Sequence, residues 1–290
     1  MTPLAKVVAA KLKDGGELWW PELARQLVAD EANEFEKTPG SAFSEYSTSG
    51  LLGERAVAFV HIPIAAVQAG SQTIRLEALA APVESYFVLK GVDFYDAAEL
   101  NSPRVTETLT DAFELIGLVP TLLDSVRALV KSMHVLDAPN AASDVSFSKP
   151  EIPFSIFVSV PRQRVAHDSF RVAEAVVHEA MHLQLSLVER IVPLVCGDEE
   201  RFYSPWKHGP RDTAGILHGI YVFSVIDGWL ERLPESLRCD YTDRRRAEIE
   251  CQINLNKAFF EAAELTPEGR MLSRAIMVRF ARAGLSVRNV

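Results

Sequence analysis

The chain has 290 residues, 48% apolar and 24% charged, enough for one large domain or two small ones and ordinary for a globular enzyme. Its 30 basic and 39 acidic residues give a formal net charge of -9, which argues against broad binding to nucleic acid or to an anionic membrane surface. Three scattered cysteines, Cys196, Cys239 and Cys251, are too few for a disulfide framework or a cysteine-based zinc site and fit a reduced, cytoplasmic compartment.

The first stretch, MTPLAKVVAAKLKDGG, has lysines at 6, 11 and 13 that interrupt its apolar run, so it lacks the pattern of a signal peptide. No uninterrupted apolar run reaches the roughly 18 to 20 residues of a membrane span. Residues 4–13 and 21–36 read as short amphipathic helices split by Gly15 and Gly16. Residues 37–50 read as a loop, from their Pro, Gly and Ser content. The runs 55–62, 73–79 and 85–94 lean towards strand. Two helices follow, divided by Pro120, which suits a first helical turn.

Residues 132–139 and 154–161 are candidate short strands around NAASDVSFSKPEIP. A long helix then starts with Asp168 or Ser169 as its cap and runs through AVVHEAMHLQL. Residues 197–214 read as a loop rich in Gly, Pro and charge, and a second apolar helix follows and stops near Pro234. Two more helices, about 243–263 and 266–284, close the chain. The expectation is a helix-dominated α+β fold with short strands mainly in its first half. It reads as one catalytic domain, 1–290, with the metal site between two central helices. Within it, 1–142 form an α+β portion of unassigned role and 143–290 a metal-binding helical portion.

The motif that carries chemistry is His178, Glu179 and His182, in the pattern H-E-x-x-H. On a helix, positions four apart lie one turn apart on one face, so both imidazoles can reach one ion. Projection puts Glu174, His178, His182, Ser186 and Glu189 on one stripe, with Glu179 at its edge and apolar residues around the rest. The bland alternative is a pair of hydrogen-bonded core histidines. A catalytic site needs a third protein ligand and an open position. The metzincin extension requires Gly and His where this chain has Leu185 and Val188. Among carboxylates, Glu189 lies on the same helix, Asp198, Glu199 and Glu200 fall in a loop, and Asp227 and Glu231 fall on the next helix. The better candidate is His218, flanked by Gly215 and Gly219, which would let a backbone or ligand approach closely. Three histidines suit catalytic zinc, and open imidazole sites also suit iron, nickel or copper. Ligand type alone does not decide the metal.

Taken together, VSFSKPEIPFSIFVSVP, VVHEAMHLQL and RFYSPWKHGPRDTAGILHG resemble the HExxH-motif peptide-modification proteins that accompany ribosomally made, post-translationally modified peptides. The resemblance covers roughly residues 143–233. It implies an Fe(II)- and 2-oxoglutarate-dependent dioxygenase that β-hydroxylates a side chain of a precursor peptide, with His178, His182 and His218 as iron ligands. Ser204, Pro205, Trp206, Pro210 and Arg211 match the loop before the third histidine, whereas Asp212 stands where a second proline is expected. The far carboxylate of 2-oxoglutarate needs a charged clamp. Arg211 leads, since guanidinium pairs with carboxylate in bidentate fashion, followed by Lys207, Ser204 and Tyr203.

Glu179 changes meaning between readings. In a zinc peptidase it is the general base acting on metal-bound water. In an iron oxygenase it orients a ligand histidine or a bound water. His167 and His208 lie off the pattern and read as surface residues. Two rival functions stand beside the oxygenase: a cytoplasmic zinc peptidase, and a non-catalytic, metal-stabilised partner of a peptide-maturation complex. The expected partner is a precursor peptide, with no nucleic acid and no membrane, and the oligomeric state is open.

Overall fold

The computed structural model describes residues 2–37, 47–52, 55–60, 62–138, 140, 143–149, 154–197 and 200–287. The chain forms a helix-dominated α+β fold whose elements follow in the order α1 Pro3–Asp14, α2 Pro21–Lys37, β1 Ser47–Leu52, β2 Arg55–Val60, β3 Ile62–Ala69, β4 Gln72–Ala78, α3 Ala81–Val88, β5 Asp93–Phe94, α4 Ala97–Leu100, α5 Pro103–Gly117 and α6 Pro120–Leu129. The second half continues with β6 Ser132–Asp137, β7 Ser146–Ser148, β8 Ser155–Ser159, α7 Asp168–Ile191, β9 Glu200–Ser204, β10 Gly209–Asp212, α8 Thr213–Arg232, α9 Asp240–Leu255 and α10 Pro267–Val287, with short 3₁₀ turns on either side of α9. These elements group into two compact units, one of residues 24–184 and one of residues 1–23 with 185–290. That grouping differs from the portions 1–142 and 143–290 drawn from the sequence, because the N-terminal helix α1 packs on α10 at the far end of the chain.

In the first unit, a six-stranded mixed sheet has the order β3-β4-β6-β8-β7, with β5 also on β6. The pairs β4–β6 and β6–β8 are parallel, and β3–β4, β5–β6 and β7–β8 antiparallel. Every residue of β8 and all but the last of β6 are buried, as expected for central strands covered on both faces. Val83 and Phe87, four apart on α3, pack with Leu79, Leu136 and Phe157. Phe147 of β7 stacks on Phe157 at 4.4 Å, and His134 stacks on the same ring at 4.6 Å.

The structure corrects several expectations here. Residues 85–94 form the end of helix α3 and only the two-residue strand β5. Pro82 sits in the first turn of α3, where proline costs no hydrogen bond, and Val83 and Phe87 bury at helical spacing. Strand β3 follows β2 with no long break, and its Pro63 is tolerated because β3 is an edge strand whose register shifts between Pro63 and Ala65. Of the expected loop 37–50, residues 47–50 belong to β1 and Lys37 ends α2, while 38–46 lie outside the described residues.

The second unit is built on α8. Ile216, Leu217, Ile220, Tyr221, Val222, Val225, Ile226 and Trp229 of this helix are fully buried. The Tyr221 hydroxyl donates to the Leu18 carbonyl at 2.7 Å. By length and mean hydropathy α8 could cross a membrane, but Asp227 interrupts its apolar run, in keeping with the sequence reading, and 78% of the apolar stretch is buried within the protein. Its two carboxylates are tied to neighbouring helices. Asp227 accepts from Arg246 of α9 and Arg279 of α10, each at 2.9 Å, and Glu231 joins the same pair of arginines. The three cysteines are free thiols.

Candidate metal centre

Helix α7 forms because its apolar residues recur at helical spacing. Val172, Ala173, Val176, Val177, Ala180, Met181, Leu185 and Val188 are buried, while Glu174, His178, His182, Ser186 and Glu189 are half-buried along one stripe. The helix starts at Asp168 itself, which with Ser169 was read from the sequence as a candidate cap, and follows His167, whose φ is 59°. Asp168 is engaged at once: its carboxylate accepts from Arg104 at 2.6 Å and from the Ser169 amide at 2.8 Å. Burial would raise the Asp168 pKa, but the hydrogen bond and charge of Arg104, with the backbone donors, outweigh it and hold the carboxyl below its ordinary range.

One turn of this helix brings His178 Nε2 and His182 Nε2 to 3.1 Å from each other, with the rings inclined by 69°. Two imidazoles on one ion, each about 2.0–2.1 Å from it, place their nitrogens about 2.9–3.4 Å apart for ligand angles between right-angled and tetrahedral. The pair therefore fits a shared metal ion. The same separation suits a shared proton, which is the core-histidine alternative.

Glu179 is buried, with 2% of its surface exposed, and accepts the Ser146 hydroxyl at 2.7 Å. The same oxygen, Oε1, lies 3.9 Å from His178 Nε2. Ser146 opens strand β7, which pairs with β8 at the end of the sheet. The sequence reading missed Ser146. Its signal was the alternation Ser146-Phe147-Ser148, with phenylalanine facing the aromatic core and serine free to face the helix.

In the other unit, His218 sits half-buried on α8 with Nε2 at 2.8 Å from Glu189 Oε2. An imidazole against a carboxylate is the arrangement that fixes the tautomer and orientation of a ligand histidine. Glu189 shares the polar stripe with His178 and His182, which was the available signal for its involvement. Asp227 and Glu231, the carboxylates that could have competed with His218, are occupied by Arg246 and Arg279. Asp198 and Glu199 lie outside the described residues. Among the described residues, no group of three or more His, Cys, Asp or Glu side chains is arranged to hold one ion.

Residues 200–212 form a β-hairpin, β9–β10, where the sequence suggested a loop. Its turn holds His208 at a φ of 52°, and the pairing Tyr203↔Pro210 and Arg211↔Phe202 forms despite the glycine, proline and charge that made it read as irregular. Asp212 caps α8 by accepting from the Gly215 amide at 2.7 Å, a bond that the expected proline could not make. The Arg211 side chain lies over Gly215, where a Cβ would collide with it. Arg211 is exposed and has no ion-pair partner among the described residues. Ser204 is buried, its hydroxyl accepting from the Lys207 amide at 3.2 Å, while Tyr203 and Lys207 are exposed. His167 and His208 are exposed, as expected.

The structure thus joins His178 to His182, Glu179 to Ser146, His218 to Glu189 and Arg211 to the first turn of α8. No family model matches this chain, and no curated protein matches it significantly.

Proposed function

We propose that this chain is a cytoplasmic, Fe(II)- and 2-oxoglutarate-dependent dioxygenase that hydroxylates a β-carbon in a side chain of a ribosomally made peptide during its maturation. His178, His182 and His218 are its metal ligands in this reading, and Arg211 clamps the far carboxylate of the co-substrate. Bound iron would couple dioxygen and 2-oxoglutarate to hydroxylation, releasing succinate and carbon dioxide. The supporting observation is Arg211. An exposed guanidinium with no acidic partner among the described residues is seated on Gly215, one turn ahead of His218 on the same helix. A dicarboxylate co-substrate needs such a cation beside a ligand histidine, whereas hydrolysis at zinc does not.

Glu179 holds a polar position under the ligand pair. Its buried carboxylate takes the Ser146 proton donor and stands beside His178, so it fixes orientation. One observation favours the zinc peptidase as second reading: Glu179 Oε1 at 3.9 Å from His178 Nε2 is also within reach of a metal-bound water. The variant Glu179→Gln separates the two. With iron, 2-oxoglutarate and dioxygen, the oxygenase variant retains metal and measurable succinate formation. A peptidase variant with zinc loses nearly all peptide cleavage, and succinate never forms above background even in the unaltered protein.

A further inference from the structure

The β9–β10 hairpin grips α8 at two points one helical turn apart. Arg211 covers Gly215, and the Trp206 indole covers Gly219, where a Cβ would stand 2.6 Å from Cε3 and Cζ3 of the ring. Positions 215 and 219 share a face, and His218 lies between them in the chain. Trp206 is held from three directions. Its ring lies on Gly219 and stacks on Phe223 at 5.1 Å and 13°, and its Nε1 donates to Gln252 Oε1 of α9 at 2.9 Å, while Arg245 of α9 lies 5.1 Å over Phe223 in turn. At the other end of the hairpin, Phe202, the partner of Arg211 across the strands, packs edge-on against Phe259 at 5.6 Å. The register breaks between Arg211 and Asp212, and such a bulge re-aims the side chain beside it.

We infer that Trp206 is a positioning residue for Arg211: anchored on Gly219, Phe223 and Gln252, it locks the hairpin to α8 and so sets where the Arg211 guanidinium meets the co-substrate. This rests on the oxygenase reading above. The indole carries no charge and supplies a flat surface matched to a helix backbone stripped of a side chain at Gly219. Gly215 and Gly219 are therefore seats for two side chains of the chain's own hairpin, rather than openings for a ligand. Trp206 acts on the co-substrate only through Arg211, so its loss should affect 2-oxoglutarate binding and spare metal uptake.

The test uses the full chain and the variants Trp206→Ala, Trp206→Phe and Gly219→Ala. Hydrogen–deuterium exchange follows the amides of residues 202–212, anaerobic titration of the iron-loaded protein gives the Kd for 2-oxoglutarate, and elemental analysis gives metal content. Trp206→Ala should speed hairpin exchange and weaken 2-oxoglutarate binding about tenfold or more, the loss of one charge-assisted contact, with metal content unchanged. Trp206→Phe keeps the stacking surface and should recover most of the affinity. Gly219→Ala keeps α8 helical, since alanine is the better helix former, and should reproduce the Trp206→Ala result from the opposite side of the contact even if Trp206→Ala folds poorly. Unchanged hairpin exchange in these variants overturns the positioning itself, as does faster exchange with unchanged 2-oxoglutarate affinity. An unaltered protein that takes up iron but binds no 2-oxoglutarate overturns the oxygenase reading, and the exchange data still decide whether Trp206 fixes the strand of Arg211.

Discussion

Ser146 donates its hydroxyl to Glu179 across 2.7 Å, joining the end strand of the sheet to the glutamate of the H-E-x-x-H helix. A carboxylate with 2% of its surface exposed requires such donors, because burying it unpaired is costly. Ser146→Ala should therefore lower metal affinity or turnover by about 10- to 100-fold, the range found for groups that orient metal ligands. Competition with a chelator of known affinity measures the first, and steady-state succinate formation the second.

His178→Ala and His182→Ala each remove half of a nitrogen pair separated by 3.1 Å. Either variant should bring iron or zinc content close to zero after dialysis, with the far-ultraviolet circular dichroism preserved, since alanine is the best helix former. Retention of a full equivalent of metal in both variants would place the ion elsewhere.

The start of α7 carries an acid-sensitive contact. Arg104 and its hydrogen bond hold the Asp168 carboxyl below its ordinary range despite burial. A depressed folded-state pKa contributes stability above the unfolded value, about 3.9, and loses it as pH falls through the folded value. Asp168→Asn should cost about 1–3 kcal/mol at neutral pH and flatten the acid limb of the stability curve. Urea titrations between neutrality and the acid transition read both effects.

Asp227 holds α8, α9 and α10 together through Arg246 and Arg279. Asp227→Asn removes the charge that both guanidinium groups face, and a loss of about 1–3 kcal/mol is expected after allowance for the partly exposed arginines. Thermal unfolding checks it, and metal content should not change, because this carboxylate serves packing. A drop in metal content with stability intact would contradict that assignment.

Much of the helical half was legible because burial imposes a period of 3.6 on α5, α6, α7 and α8, and Pro103, Pro120 and Pro234 mark or flank their ends. The polar stripe of α7 was legible for the same reason. Short strands were not. Ser146–Ser148 has only three residues, Pro63 disguises β3, and the 85–94 run has strand-forming residues at helical spacing. In the hairpin 200–212, tertiary contacts of Phe202 and Trp206 override a composition that reads as loop. The pairing of His218 with Glu189 depends on contacts 29 residues apart, and local periodicity carries no signal for those.

In the proposed oxygenase, 2-oxoglutarate chelates the bound iron and Arg211 clamps its far carboxylate. The most direct test is anaerobic reconstitution with Fe(II) followed by addition of 2-oxoglutarate under an absorption spectrometer. A visible charge-transfer band is expected that saturates with 2-oxoglutarate and, in Arg211→Ala, requires at least about tenfold more of it. Absence of any band in a protein that holds iron, together with peptide cleavage restored by zinc, would contradict the oxygenase reading.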